Sequence, residues 1–227
     1  MFDESPDAAW SLRYGAAAPQ IPDLGKFLNH RSVRRYSAEP VPESMVAGLV
    51  AAAQSASTSS NLQLWSVISI QEPARRAEVA VLCGDQRQVH EAPWFLAFIA
   101  DHARLRAAAT AVGVPAEGLD YAEFYTMAII DAALAAERMV CAAEALGLGC
   151  CYIGSLRNDP YAVQRLLKMP TGTFGVFGMC LGWPEEPLRA HIKPRLDRVP
   201  FGSGRSTVCP MWPNTTSACV RSTRANA

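Results

Sequence analysis

Behind Pro42, apolar Met45, Val46, Leu49, Val50 and Ala53 recur at three- and four-residue steps, which lays one apolar stripe along a helix. The stripe stops at the polar residues 55 to 61, so the helix delivers a Ser/Thr-rich loop at its end. Residues 65 to 70 and 94 to 100 read as strands, and the second is apolar almost without a break, as a strand covered on both faces must be. That strand is expected at the centre of a sheet, with a helix and a loop in residues 71 to 90 leading to it. From residue 122 to 146 an alanine-rich segment carries apolar residues around most of a helical circumference, which predicts burial on several sides. Glu123, Asp131, Glu137, Arg138 and Glu144 within it exclude a membrane span. Such a helix fits either the centre of a monomer core or half of a subunit interface, and the pattern alone favours the former.

Gly147-Leu148-Gly149 separates that helix from a short apolar strand. The pair lacks a third glycine and precedes its strand, so it reads as a helix stop and not as a dinucleotide-binding turn. No G-x-G-x-x-G follows any strand. The alternation of helical and strand periods predicts an α+β sandwich and not a parallel doubly wound sheet.

Composition narrows the classes. A chain of 227 residues, 50% hydrophobic, can bury one sizeable core. Lys plus Arg equal Asp plus Glu at 21 each, so no global field draws the chain to nucleic acid or an anionic membrane, and neither is expected as a partner. The opening Met1-Phe2-Asp3-Glu4-Ser5 is acidic and lacks the basic and apolar regions of an export signal, which makes a cytoplasmic location the expectation. Cysteines 83, 141, 150, 151 and 180 lie in apolar surroundings and read as reduced core residues. Cys150 and Cys151 are adjacent on a strand and must point to opposite faces, and His30, His90, His102 and His191 show no ligand spacing, so no metal is expected.

Three segments carry candidate chemistry. His30-Arg31-Ser32-Val33-Arg34-Arg35-Tyr36 gathers permanent cations and a hydroxyl, a set suited to clamping a phosphate, although such a run equally suits a solvated face. Residues 144 to 155 run from a helix end through glycines into a strand and a small-residue turn, where the backbone can approach a flat ring. Lys193-Pro194-Arg195 sets two more cations around a proline, as though both ends of the chain served one anion.

Together with Ser57-Thr58-Ser59-Ser60-Asn61-Leu62-Gln63, Gly84-Asp85-Gln86 and the Tyr152-Ile153-Gly154-Ser155 turn, these segments resemble the FMN-dependent nitroreductase family. The similarity is to its NADPH nitroreductase A and flavin reductase P branch, and it runs in order from about residue 30 to 196. The resemblance implies a mainly antiparallel central sheet with helices on both faces, in an intertwined homodimer holding two flavins at its interface. It divides the chain into a polar lead-in (1–29), an FMN-binding domain (30–196) and an atypical tail (197–227).

Carried over by position, the resemblance assigns His30, Arg31, Ser32 and Arg34, with Lys193 and Arg195, to the FMN phosphate, ribityl chain and pyrimidine edge. Ser57, Thr58, Ser59 and Leu62 would reach a flavin from the partner chain. Gln86 would hydrogen-bond the flavin edge, and Tyr152, Ile153, Gly154 and Ser155 would lie against the isoalloxazine, with Ser155 standing where glycine is usual. No side chain is expected to act as nucleophile or base, because hydride passes through flavin N5. The activity implied is reduction of nitroaromatics, quinones or flavins with NADPH or NADH as donor. Within the same resemblance the chain could instead be a specialised reductive dehalogenase, or a flavin-binding protein of little turnover. The branch continues well past the Lys193 to Arg195 segment, whereas residues 197 to 227 lack Leu, Ile and Lys and are expected to be loosely ordered.

Overall fold

The computed structural model describes residues 4–18, 24–185 and 191–193. Arg195 and the tail from 197 onward lie outside the described residues.

Among the described residues, four strands form one fully antiparallel sheet in the order β1-β2-β4-β3: β1 (Trp65–Ser69), β2 (Trp94–Asp101), β3 (Gly149–Ile153) and β4 (Thr173–Gly182). β2 lies inside the sheet and is buried from Phe95 to its end, which is the placement its unbroken apolar run demands. Successive residues alternate between two cores. Leu96, Phe98, Cys150, Met179 and Leu181 face α2 (Glu43–Gln54) and α6 (Ala122–Ala145). Phe95, Ala97, Ile99, Cys151, Ile153 and Cys180 face α3 (Pro73–Leu82), α4 (Arg87–Glu91) and α7 (Pro160–Leu166). Helices therefore cover both faces, and the adjacent cysteines lie in different cores, as strand geometry requires. Cys83, Cys141, Cys150, Cys151 and Cys180 are all free thiols, with Cys141 only half-buried.

α6 buries Ala128, Ala132, Ala135, Ala136, Met139, Val140 and Ala143 along one flank. Its other side is open within the single chain, with Ile130 50% and Leu134 44% exposed. α2 and the sheet cover α6 on their side, and Ile130 and Leu134 remain open, so burial all round is not met inside one chain. Gly147, at φ 87°, ends the helix in the left-handed conformation and turns the chain into β3.

The lead-in contains a helix, α1 (Pro6–Tyr14). The Ser5 hydroxyl accepts from Ala8 N, Pro6 fits the first turn and Gly15 closes the end at φ 66°. α1 packs Ala9 and Trp10 inward. A short helix, α5 (Ala103–Ala111), follows β2. Among the described residues no helix is long and apolar enough to cross a membrane, and no cluster suited to a metal ion occurs.

Candidate functional site

Within residues 30 to 37, Val33 joins β3 and residues 35 to 37 pair with the residues that follow β4. Val33 N donates to Cys150 O at 2.9 Å, Ser37 N to Trp183 O at 2.9 Å, and Glu185 N to Arg35 O at 3.1 Å. This approach is possible because residue 149 is a glycine: a Cβ there would sit 2.5 Å from Val33 Cγ2. The glycine at this position admits the basic segment, a different use from the approach to a flat ring that the sequence suggested.

The basic side chains separate into inward and outward sets. Arg31 is buried and donates to Asn29 O at 3.1 Å and to Glu4 Oε2 at 2.5 Å, tying the segment to the residues before α1. Arg13 of α1 reaches the same place, donating to Leu28 O and His30 O. His30 is half-buried, and its Nδ1 lies 2.7 Å from Glu144 Oε1. Ser32 is half-buried, whereas Arg34, Arg35 and Lys193 are exposed. Among the described residues none of those three cations has a carboxylate within ion-pair distance. Burial pushes the Cys151 thiol up, and Arg34 and Lys193 both pull it back, so both cations are near this residue of β3.

The turn after β3 meets the turn before α4. Gln86 Nε2 donates to Cys83 O at 2.8 Å and to Ser155 Oγ at 2.6 Å, and the Ser155 hydroxyl donates to Cys83 O at 2.8 Å. Burial pushes the Cys83 thiol up to about 11, with the Ser155 hydrogen bond acting the other way. Gly154 is exposed and Ile153 is buried in the core behind the turn. Tyr152 is 37% exposed, sets its ring edge-on to Phe177 at 5.1 Å, and donates its hydroxyl to Glu137 Oε2 at 3.2 Å. Partial burial, followed by the Glu137 carboxylate, pushes that phenol well above its ordinary range.

The Ser/Thr loop is held elsewhere. Asp131, 1% exposed, accepts from Thr58 Oγ1 at 2.6 Å, Ser59 N at 3.2 Å and Leu64 N at 3.0 Å. Thr58 Oγ1 in turn accepts from Gln63 N at 2.9 Å. Ser60, Asn61 and Gln63 all have φ between 50° and 54°, a strained conformation for residues with a side chain, and the Asp131 bonds help to hold it. Ser57 is exposed, and Leu62 lines an apolar cavity of about 310 Å³ with Leu105, Leu119 and Phe124.

Three carboxylates of α6 therefore each fix a candidate residue from a different segment: Asp131 holds Thr58 and Ser59, Glu137 holds Tyr152, and Glu144 holds His30. The sequence showed them only as charges within an apolar helix. Their partners lie up to 114 residues away, and acids spaced along one helix were the available signal. At 1.5 Å per residue, Asp131 and Glu144 are about 20 Å apart along the axis. The structure thus groups His30, Ser32, Arg34, Gln86, Tyr152, Ser155 and Lys193 around β3 and sets Ser57, Thr58, Ser59 and Leu62 apart from them.

The sequence matches the profile described as "Nitroreductase family" over residues 28–183. It is 38% identical over 172 residues to "FMN reductase (NADPH)" of Bacillus subtilis, covering 75% of this chain and 68% of that protein. It is also 38% identical over 175 residues to "Oxygen-insensitive NADPH nitroreductase" of Salmonella typhimurium, covering 77% and 70%. Among solved structures, NfrA1 nitroreductase from B. subtilis superposes with a TM-score of 0.76 at 33% identity, covering 85% of this chain and 78% of that one. The NADPH:FMN oxidoreductase of Vibrio harveyi complexed with NAD+ gives 0.73 at 32% identity, covering 86% and 82%. With the profile spanning more than half of its length and the antiparallel sandwich that such structures share, this chain belongs to the nitroreductase family.

Proposed function

We propose that the protein is an FMN-dependent NAD(P)H oxidoreductase acting on small acceptors of the nitroaromatic, quinone or flavin kind, with NADPH the favoured donor. The observation that carries the siting of the cofactor is the pair of exposed cations Arg34 and Lys193, both near Cys151 of β3 and, among the described residues, without a carboxylate at ion-pair distance. A monophosphate suits this donor set. Two cations supply charge-assisted bonds, Ser32 supplies a neutral donor on the same segment, and among the described residues no carboxylate lies within ion-pair distance of either cation. Bound FMN supplies hydride acceptance and donation at one ring nitrogen, so no nucleophile or base is required of the chain.

The residues of the chain bind, orient and exclude water. Arg34 and Lys193 hold the phosphate, with Arg195 assigned beside them by position in the sequence. Arg31 acts chiefly as a buttress, since any phosphate contact must compete with Glu4 at 2.5 Å. His30, oriented by Glu144, and Gln86 face the ribityl and pyrimidine parts. The turn from Tyr152 to Ser155 lies along the ring, where Gly154 leaves the backbone exposed and able to offer an N–H to charge developing on the ring.

Ser57, Thr58, Ser59 and Leu62 serve the flavin of a second subunit in this reading. Their anchor, Asp131, lies on α6 apart from Glu137 and Glu144, which hold Tyr152 and His30. The open strip of Ile130 and Leu134 on the same helix gives the second subunit an apolar surface to cover. The assembly is a homodimer and its compartment the cytoplasm.

Titration of flavin fluorescence tests the cofactor site. FMN is expected to be quenched on binding and riboflavin to bind far more weakly. Equal affinity for the two would show that no phosphate clamp operates.

A further inference from the structure

We propose that Ser155 is a positioning residue that fixes the Gln86 amide so that it offers the flavin ring a hydrogen-bond acceptor and no donor. The inference rests on the flavin reading above and deepens it. An amide nitrogen has two hydrogens, and both are used within the chain: one goes to Cys83 O at 2.8 Å and the other to Ser155 Oγ at 2.6 Å. The orientation is not interchangeable. A backbone carbonyl can only accept, so the nitrogen of Gln86 and not its oxygen must face Cys83.

Ser155 makes the second bond possible. Its own hydrogen is committed to Cys83 O at 2.8 Å, which turns its oxygen into the acceptor for Gln86. At the other end of the amide, Gln86 Oε1 accepts from Gln88 Nε2 at 2.7 Å, and Gln88 is itself only 8% exposed. Three of the four hydrogen-bonding positions of the amide are thus filled internally. The fourth is a lone pair on Oε1.

The pyrimidine edge of a flavin alternates carbonyl oxygens with one N–H, at N3. A side chain left with only a lone pair is complementary to that N–H and mismatched to the carbonyls on either side. Without the Ser155 hydroxyl, one amide hydrogen would be released, and Gln86 could donate to a carbonyl equally well. Ser155 therefore sets which atom of the ring edge is recognised.

The test is titration of FMN and of 3-methyl-FMN, whose N3 carries no hydrogen, into flavin-depleted protein, followed by flavin fluorescence. Three variants of residue 155 are compared with the parent: Ser155→Ala, Ser155→Gly and Ser155→Thr. In the parent the methylated analogue should bind at least about tenfold more weakly than FMN. Ser155→Ala and Ser155→Gly should shrink that ratio several-fold, and Ser155→Thr, which keeps a hydroxyl, should restore it. Circular dichroism melts identify any variant that has not folded, and the Thr variant then decides. A ratio near one in the parent, or a ratio unaltered by Ser155→Ala, overturns the positioning role while leaving the flavin site intact. Failure of both flavins to bind the parent overturns the flavin reading and this inference with it.

Discussion

The Thr58 hydroxyl donates to the Asp131 carboxylate at 2.6 Å, and through that bond the loop after α2 is fixed to the middle of α6. Two backbone amides, of Ser59 and Leu64, end on the same carboxylate. Such a group cannot be deleted neutrally, because its removal leaves donors without an acceptor in a nearly dry place. Asp131→Ala is expected to lower stability by at least about 2 kcal/mol, at the upper end of what an unsatisfied buried hydrogen-bonding group costs. Denaturant midpoints compared with Thr58→Ser, which keeps the hydroxyl and should change little, check this.

Lys193 and Arg31 are both cations of the expected phosphate set, yet they should behave differently. Lys193→Ala removes an exposed charge with no carboxylate partner among the described residues and should weaken FMN about tenfold with little change in melting temperature. Arg31→Ala removes a buried guanidinium paired with Glu4 and should lower the melting temperature, with Glu4→Ala lowering it in the same direction. Flavin titration and thermal melts on the three variants separate the two roles. A Lys193 variant with unchanged FMN affinity would remove that residue from the clamp.

The exposed strip of α6 predicts assembly through it. Ile130→Arg or Leu134→Asp places a charge on a surface that a second copy is expected to cover, and should shift the protein toward monomer in sedimentation. Because the Ser57 to Leu62 loop is set apart from the other candidates, flavin affinity should fall together with the dimer fraction. A monomeric variant that retains full affinity would show that one chain suffices.

Buried thiols give the protein an alkaline limit. Burial raises Cys83 from 9.0 to about 11, and raises Cys150, Cys151 and Cys180 as well. Each folded thiol therefore keeps its proton at a pH where the unfolded thiol has lost it. The folded state binds more protons above pH 9, so stability falls as pH rises from about 9 toward 11. Melting temperatures should be level near neutrality and decline through that window, less steeply in Cys83→Val, which has no proton to lose there.

The elements that sequence made legible are those whose pattern is set by burial alone. β2 could be placed at the sheet centre because its run from Trp94 is apolar on both faces, and α2 because its stripe is one-sided. α1 was hidden within a polar lead-in, although Ser5, Pro6 and Gly15 are start and stop signals for a helix. In the candidate site the cations and the small-residue turn were legible as composition. Their partners were not: Glu4, Asp131 and Glu144 lie 27, 73 and 114 residues from Arg31, Thr58 and His30, and no local rule links residues across such separations. Gly149 was legible as a close approach, but what approaches it, Val33, depends on how the chain folds back along β3.

The central claim is that this chain carries a working flavin relay, and an anaerobic absorbance experiment on the purified protein addresses it most directly. Addition of NADPH should bleach the flavin band near its oxidised maximum, and subsequent addition of a nitroaromatic or a quinone should restore it without oxygen. The protein should complete both halves of the cycle repeatedly on one bound FMN. A flavin band that NADPH and NADH leave unbleached, or a bleached band that no acceptor restores, would contradict the assignment of this chain as an oxidoreductase.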